Sequence, residues 1–323
     1  MDAEASQLNH RVSNALNESR TLILGAEVLL GFQFRSVFES GFAKLPAFSQ
    51  YLSLYSLGAL LIVLGLLIAP AAYHRVVERG EDSEALYCFT TGAMSWALLP
   101  FAVGLAINVY IVTGLLSGGV TAIAAGVGAI ITAFVFWYGL EWLVRRRRGC
   151  SRPKCRGMKS IKPSTETART DLADKVDHVL TEARLVLPGV QALLGFQLAT
   201  VLLDRFEKLP VSSKYIHLIS LGLITICTIF LMTPAAYHRL VEQGEDSERF
   251  HRFATHMVLA AMVPLALGVS GDTYLVVQTV TGSAGVGLGV SILTLGFFLG
   301  LWFGLTLYLR RQHHKHATEQ TAG

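Results

Sequence analysis

Charge is what this chain has least of. Only 15% of its 323 residues are Asp, Glu, Lys or Arg, where an ordinary soluble domain carries about a quarter. The charges are also unevenly spread: none occurs in residues 45–73, 85–140 or 273–309. Each stretch exceeds the roughly 20 apolar residues that cross a hydrocarbon core, which excludes an ordinary soluble domain and agrees with a mean hydropathy of +0.48. Cysteine is scarce as well, and four residues make no disulfide framework in a chain this long. Cys88 and Cys227 lie in or beside apolar runs and read as small buried residues. The C-x4-C pair Cys150 and Cys155 lacks the second pair or histidine that a zinc site needs. The sequence contains no phosphate-cradling glycine loop, metal-ligating His-Glu motif or nucleophile elbow in an aqueous segment. No enzymatic activity, cofactor or metal is therefore expected. Residues 1–20 are polar and lack an h-region and a small-residue cleavage site, so no removable signal peptide is expected and insertion is expected to rest on the mature helices.

What the chain does have is a repeat. The stretch PAAYHRVVERGEDSE at 70–84 returns as PAAYHRLVEQGEDSE at 234–248, identical at thirteen of fifteen positions. A constant shift of 164 residues, without a gap, also places Glu18 on Glu182, Arg20 on Arg184, LGFQ at 30–33 on LGFQ at 194–197, KLP at 44–46 on KLP at 208–210, and Pro100, Gly104 and Tyr110 on Pro264, Gly268 and Tyr274. Such a match implies tandem duplication. The expected architecture is all-α and integral to the membrane: two tandem four-helix repeats, about eight transmembrane helices, with residues 1–144 and 172–323 as the repeats and 145–171 as a linker. The first segment of each half (16–37 and 180–203) is the weakest span, because Glu27 and Arg35 interrupt it in the first copy. Arg20, Leu24, Glu27, Gly31 and Arg35 fall on one helical stripe that should avoid lipid. The second segment ends at Pro70 or Pro234, where a kink is expected. Gly80 then turns the chain, and Asp82 or Ser83 caps the next helix. Gly296, Gly300 and Gly304 lie on one face of the last helix and predict a close helix contact.

Residues 145–162 hold nine Lys or Arg and no acid. This basic segment, and the tail with Arg310, Arg311 and Lys315, are expected on the cytoplasmic side by the positive-inside tendency. An even number of crossings per half then puts both termini and the Tyr-His-Arg turns there too, and relates the halves by a parallel pseudo-twofold along the membrane normal. The basic linker fits attraction to anionic headgroups. It has no aromatic interleaving or recognition helix, so no nucleic-acid partner is expected. A single-copy relative would form a dimer that this chain has fused, which leaves homo-oligomers in view.

Candidate functional residues are few. Tyr73, His74, Arg75 and Tyr237, His238, Arg239 follow the prolines. Histidine titrates near neutrality, but anchoring of a helix end at the headgroups, with Arg75 paired to Glu78, Glu81 or Asp82, accounts for the cluster better. Glu27 is the one acid expected near mid-membrane, where an ionisable group is a functional hypothesis by default. Its counterpart Gln191 cannot titrate, and neutralisation of Glu27 by Arg20 or Arg35 is the structural alternative. Asp272, matching Asn108, reads as a solvated helix end, and His313, His314 and His316 as part of a basic tail.

The motifs ExRxxxPGxQ at 182–191, LGFQ at 194–197, KLP at 208–210 and PAAYHR at 234–239 resemble a family of small bacterial four-helix membrane proteins of unknown function, some of whose members are labelled sodium/proton antiporters. The resemblance covers nearly the whole chain twice and implies the bacterial inner membrane. The first copy departs from it at Leu24 and Glu27, which stand where the second has Pro188 and Gln191. Two functions remain: a small ion or solute transporter, proton-coupled, with a path lined by Glu27, Gln33, Gln191 and Gln197; or a non-transporting scaffold of the bilayer. The scarcity of intramembrane charge favours the scaffold.

Overall fold

The structure is a computed structural model that describes residues 2–81, 83–117, 119–139, 172–240, 242 and 247–312. The linker at 145–171, Asp82 and the histidines of the tail lie outside them, as do the side chain of Arg239 and the pair Cys150 and Cys155. Among the described residues the chain is helical without strands. Its long helices are α1 (Asp2–Ser36), α2 (Ala47–Val76), α3 (Glu84–Ser117), α4 (Gly119–Phe134), α5 (Leu172–Thr200), α6 (Val211–Leu240), α7 (Glu248–Thr281) and α8 (Ala284–Leu299). Seven stretches are long and apolar enough to cross a membrane. α1 is not among them, because its Glu18, Arg20, Glu27 and Arg35 dilute its apolar run.

Helices begin and end where local chemistry requires. Ser83 accepts from the Leu86 N–H at 3.0 Å, and Ser247 from the Phe250 N–H at 3.1 Å, so α3 and α7 each open on a serine N-cap. Gly80 sits at φ +87°, and a Cβ there would lie 2.9 Å from His251 Nε2, so both backbone conformation and close approach demand glycine. α2 and α6 run on through Pro70 and Pro234 without a break. Ser83→Ala and Ser247→Ala are each expected to lower stability by about 1 kcal/mol, measured by denaturant titration in micelles; the same change at the exposed Ser95 should do almost nothing.

Equivalent aromatic contacts recur in the two halves. Tyr73 stacks on Phe89 with centroids 4.7 Å apart, and Tyr237 meets Phe253 at 4.6 Å, pairs that the 164-residue shift superimposes. The halves meet chiefly where α1 packs on α5. There Phe196 fills the space left by Gly31, while Phe297 of α8 sits against Gly65 of α2. Trp302, in a π-helical turn at Gly300–Gly304, is fully buried and donates to the Gly65 carbonyl at 2.9 Å. The packing is unequal: the apolar stretch of α2 is two-thirds buried, that of α6 about a quarter.

Two packing expectations change. A Cβ on Gly296 or Gly300 would meet nothing within 4 Å, so the glycine face is not a helix contact among the described residues. Cys227 is buried and free, whereas Cys88 is half-buried.

Candidate functional site

The buried ionisable groups among the described residues fall into three layers along the bundle. The first layer lies where α2 ends and α5 and α7 begin. His74 is 0% exposed, Arg75 4% and Glu182 0%. Glu182 Oε1 pairs with His74 Nδ1, and Arg75 Nε donates to Glu182 Oε2 at 2.5 Å. Arg75 Nη1 lies 3.3 Å from His251 Nε2, and the His178 ring stands edge-on to His74, centroids 6.0 Å apart. A carboxylate accepting from an arginine and an imidazole is the arrangement that makes a buried charge tolerable. The first Tyr-His-Arg cluster is therefore an ion-pair centre joining the halves. The headgroup-anchor reading fails for it, because Arg75 turns inward to Glu182 and away from Glu78 and Glu81. The counterparts in the other half are placed differently: Glu18, the counterpart of Glu182, is exposed, and His238 packs against Phe250 at 4.8 Å.

The second layer is Glu27. It is fully buried, and neither carboxyl oxygen has a hydrogen-bond partner among the described residues. Its carboxyl lies against the Gly189 backbone, so closely that a Cβ on Gly189 would coincide with it. Neutralisation by arginine is overturned: Arg20 is exposed, and Arg35 pairs with Glu39 at 2.8 Å. The reason is helix rise, which puts both arginines about 10 Å or more from Glu27 along α1. The stripe is accordingly split, with Glu27 and Gly31 buried and Arg20 and Leu24 exposed.

The third layer lies at the far end of α5. Gln197 Nε2 donates to Asp272 Oδ2 at 2.5 Å. His217 Nε2 donates to the Gln197 carbonyl at 3.1 Å, and its Nδ1 faces Asp272 Oδ1 at 3.7 Å. All three side chains are buried, so Asp272 is no solvated helix end. With Nε2–H committed to a carbonyl, Nδ1 is the ring nitrogen left facing the Asp272 carboxyl. A small cavity adjoins these groups, walled by Phe38, Phe196 and Thr200. The equivalent positions in the first half hold a neutral set: Gln33 Nε2 donates to the Ser53 carbonyl at 2.9 Å and to its Oγ at 2.5 Å, and Asn108 Nδ2 donates to Ser56 Oγ at 2.9 Å. The two places correspond under the 164-residue shift and differ in chemistry. His217 escaped sequence reasoning, although the repeat offset aligns it with Ser53 and Asp272 with Asn108.

Of the four residues expected to line one path, Glu27, Gln33 and Gln197 are buried and Gln191 is exposed. Pro70 and Pro234 are buried helix-interior residues, and Tyr237 is half-buried against Phe253. Measured along α5, Gly189 with Glu27 against it lies about 10 Å beyond Glu182 and about 12 Å short of Gln197. No group of three or more His, Cys, Asp or Glu among the described residues is arranged to hold a metal ion.

No curated protein matches the chain. No solved structure matches it either. A protein-family model does match, over residues 1–141 and again over 165–306, consistent with a duplicated domain; the chain belongs to the family of unknown function DUF6328.

Proposed function

We propose that this protein is a proton-translocating membrane transporter of the bacterial inner membrane, in which Glu27 carries the proton across the middle of the seam. Eight helices cross, α1 included, in two like-oriented quartets, with the His74 end and both termini in the cytoplasm. The observation that carries this reading is the position of Glu27: an unpartnered buried carboxyl midway between two buried acid–histidine pairs. An ionised carboxylate in an apolar wall is costly, so Glu27 rests as a neutral acid and is ionised only while handing its proton on. Asp272 with His217 on one side, and Glu182 with His74 on the other, supply exchange partners about 10 Å away along the helix, a gap that water or a side-chain movement must bridge. These groups also answer the scarcity of intramembrane charge that favoured the scaffold reading.

The test is proton flux into proteoliposomes holding a pH-sensitive dye, under an imposed gradient. Wild type is expected to exceed protein-free vesicles, and Glu27→Gln to reduce the excess at least about tenfold. Glu27→Gln should at the same time raise thermal stability, since a group kept for function is removed from an unfavourable site. Wild-type flux equal to that of empty vesicles, or unchanged flux in Glu27→Gln, overturns the proposal.

A further inference from the structure

A separate cavity of about 350 Å³ opens at the His74 end, walled by α2, α5, α7 and the last turn of the chain's final helix. It adjoins the Glu182 ion-pair centre through Arg75 and His251 and does not depend on the proton reading. Its charge is one-sided: Arg75, Arg79, Lys175, Arg252 and Arg310 line it with His251 and His256, against the single acid Glu248. Lys175 is partly neutralised by Glu81; the remaining arginines have no acid partner in the wall except Glu248 and, for Arg75, Glu182 behind it.

Two buried polar groups in this wall lack a partner. Arg75 uses Nε on Glu182 and turns Nη1 to His251, but its Nη2 is buried and makes no hydrogen bond. Thr255 Oγ1 is likewise buried and unpartnered. A buried guanidinium nitrogen without an acceptor is costly to leave so, and both groups belong to the wall of one basic cavity. The requirement is for a small ligand rich in acceptor oxygens and negative charge. Carboxylate offers two oxygens in a plane; a phosphate group offers three or four in a tetrahedron, which several arginines and a hydroxyl can share.

We infer that this cavity binds a phosphate group, held by Arg75 Nη2 and Thr255 at its inner wall and by Arg79, Arg252 and Arg310 at its mouth. Arg75 and Arg310 terminate apolar helices, so the mouth stands at the membrane boundary. Phosphate can arrive there as the headgroup of an anionic phospholipid or as a soluble phosphate compound, and basic pockets between membrane helices are suited to the former.

The experiment measures thermal unfolding of the full chain in neutral detergent with added phosphatidylglycerol, phosphatidylcholine, inorganic phosphate, pyrophosphate or an equal ionic strength of chloride. The test variants are Arg252→Gln and Arg310→Gln, whose side chains take no part in the Glu182 ion-pair centre, together with Thr255→Val. A rise in melting temperature with phosphatidylglycerol but not phosphatidylcholine assigns the lipid source; a rise with phosphate or pyrophosphate but not chloride assigns the soluble one. In either case the apparent affinity should fall about tenfold or more in Arg252→Gln/Arg310→Gln and measurably in Thr255→Val, with unliganded melting unchanged in the arginine variant. No specific rise from any phosphate source, or a rise of equal size and midpoint in the variants, overturns the inference.

Discussion

Glu182→Ala is expected to destabilise the protein by about 3–5 kcal/mol, the usual consequence of removing one partner from a buried ion pair. Arg75 is desolvated: its side chain is 0% exposed, and its other contact is an imidazole. Deleting the carboxylate strands a guanidinium and removes the acceptor of His74 Nδ1 in one step. The loss belongs to the seam between the halves, since Glu182 is on α5 and its two partners end α2. Denaturant titration in micelles measures it. Two controls separate the ion pair from generic damage: Glu18→Ala, the same change at the exposed repeat counterpart, should stay within about 0.5 kcal/mol, and Glu182→Ala combined with Arg75→Ala should cost less than the two losses added together. Additive losses would mean that the pair is not coupled.

Why Glu182 could not be paired with His74 in advance is instructive. The residues around Arg75 in sequence include Glu78, Glu81 and Asp82, all within reach of a helix end, so proximity in the chain favours them. The actual partner is 107 positions away and becomes adjacent only because α5 packs beside the first half. Local chemistry was legible where it is local: Ser83 and Ser247 cap their helices because a serine before an apolar run has only the next turn's N–H groups to satisfy. The ring contacts Tyr73–Phe89 and Tyr237–Phe253 are also close in sequence, sixteen positions apart in each half. Glu27 was recognisable as the anomalous acid, and helix rise alone could have ruled out Arg20 and Arg35 as its partners. Asp272 shows the opposite failure. A lone acid near a helix end looks solvated, and only the histidine brought in by α6 and the amide brought in by α5 make it an interior group. The glycine face of α8 misled for a third reason: small residues permit a close neighbour but do not supply one.

Gly189→Ala is expected to be the other severe substitution, at about 1–3 kcal/mol or more, and its cause can be isolated. Alanine normally improves a helix by about 1 kcal/mol over glycine, so any loss at this position must exceed that gain. The added methyl would occupy the space of the Glu27 carboxyl, forcing either that side chain or the α1–α5 contact to move. In a Glu27→Ala background the obstruction is gone, and Gly189→Ala should then be neutral or favourable. The double-mutant cycle therefore predicts a coupling of about 1 kcal/mol or larger. Gly296→Ala is the contrasting case, because a Cβ there meets open space and the helix-propensity gain should appear undiminished. A loss at Gly296 as large as that at Gly189 would mean that the glycine face is covered in the membrane. Equal losses for Gly189→Ala with and without Glu27 would mean that the carboxyl does not sit in the seam, and the proton path drawn through it would fail with it.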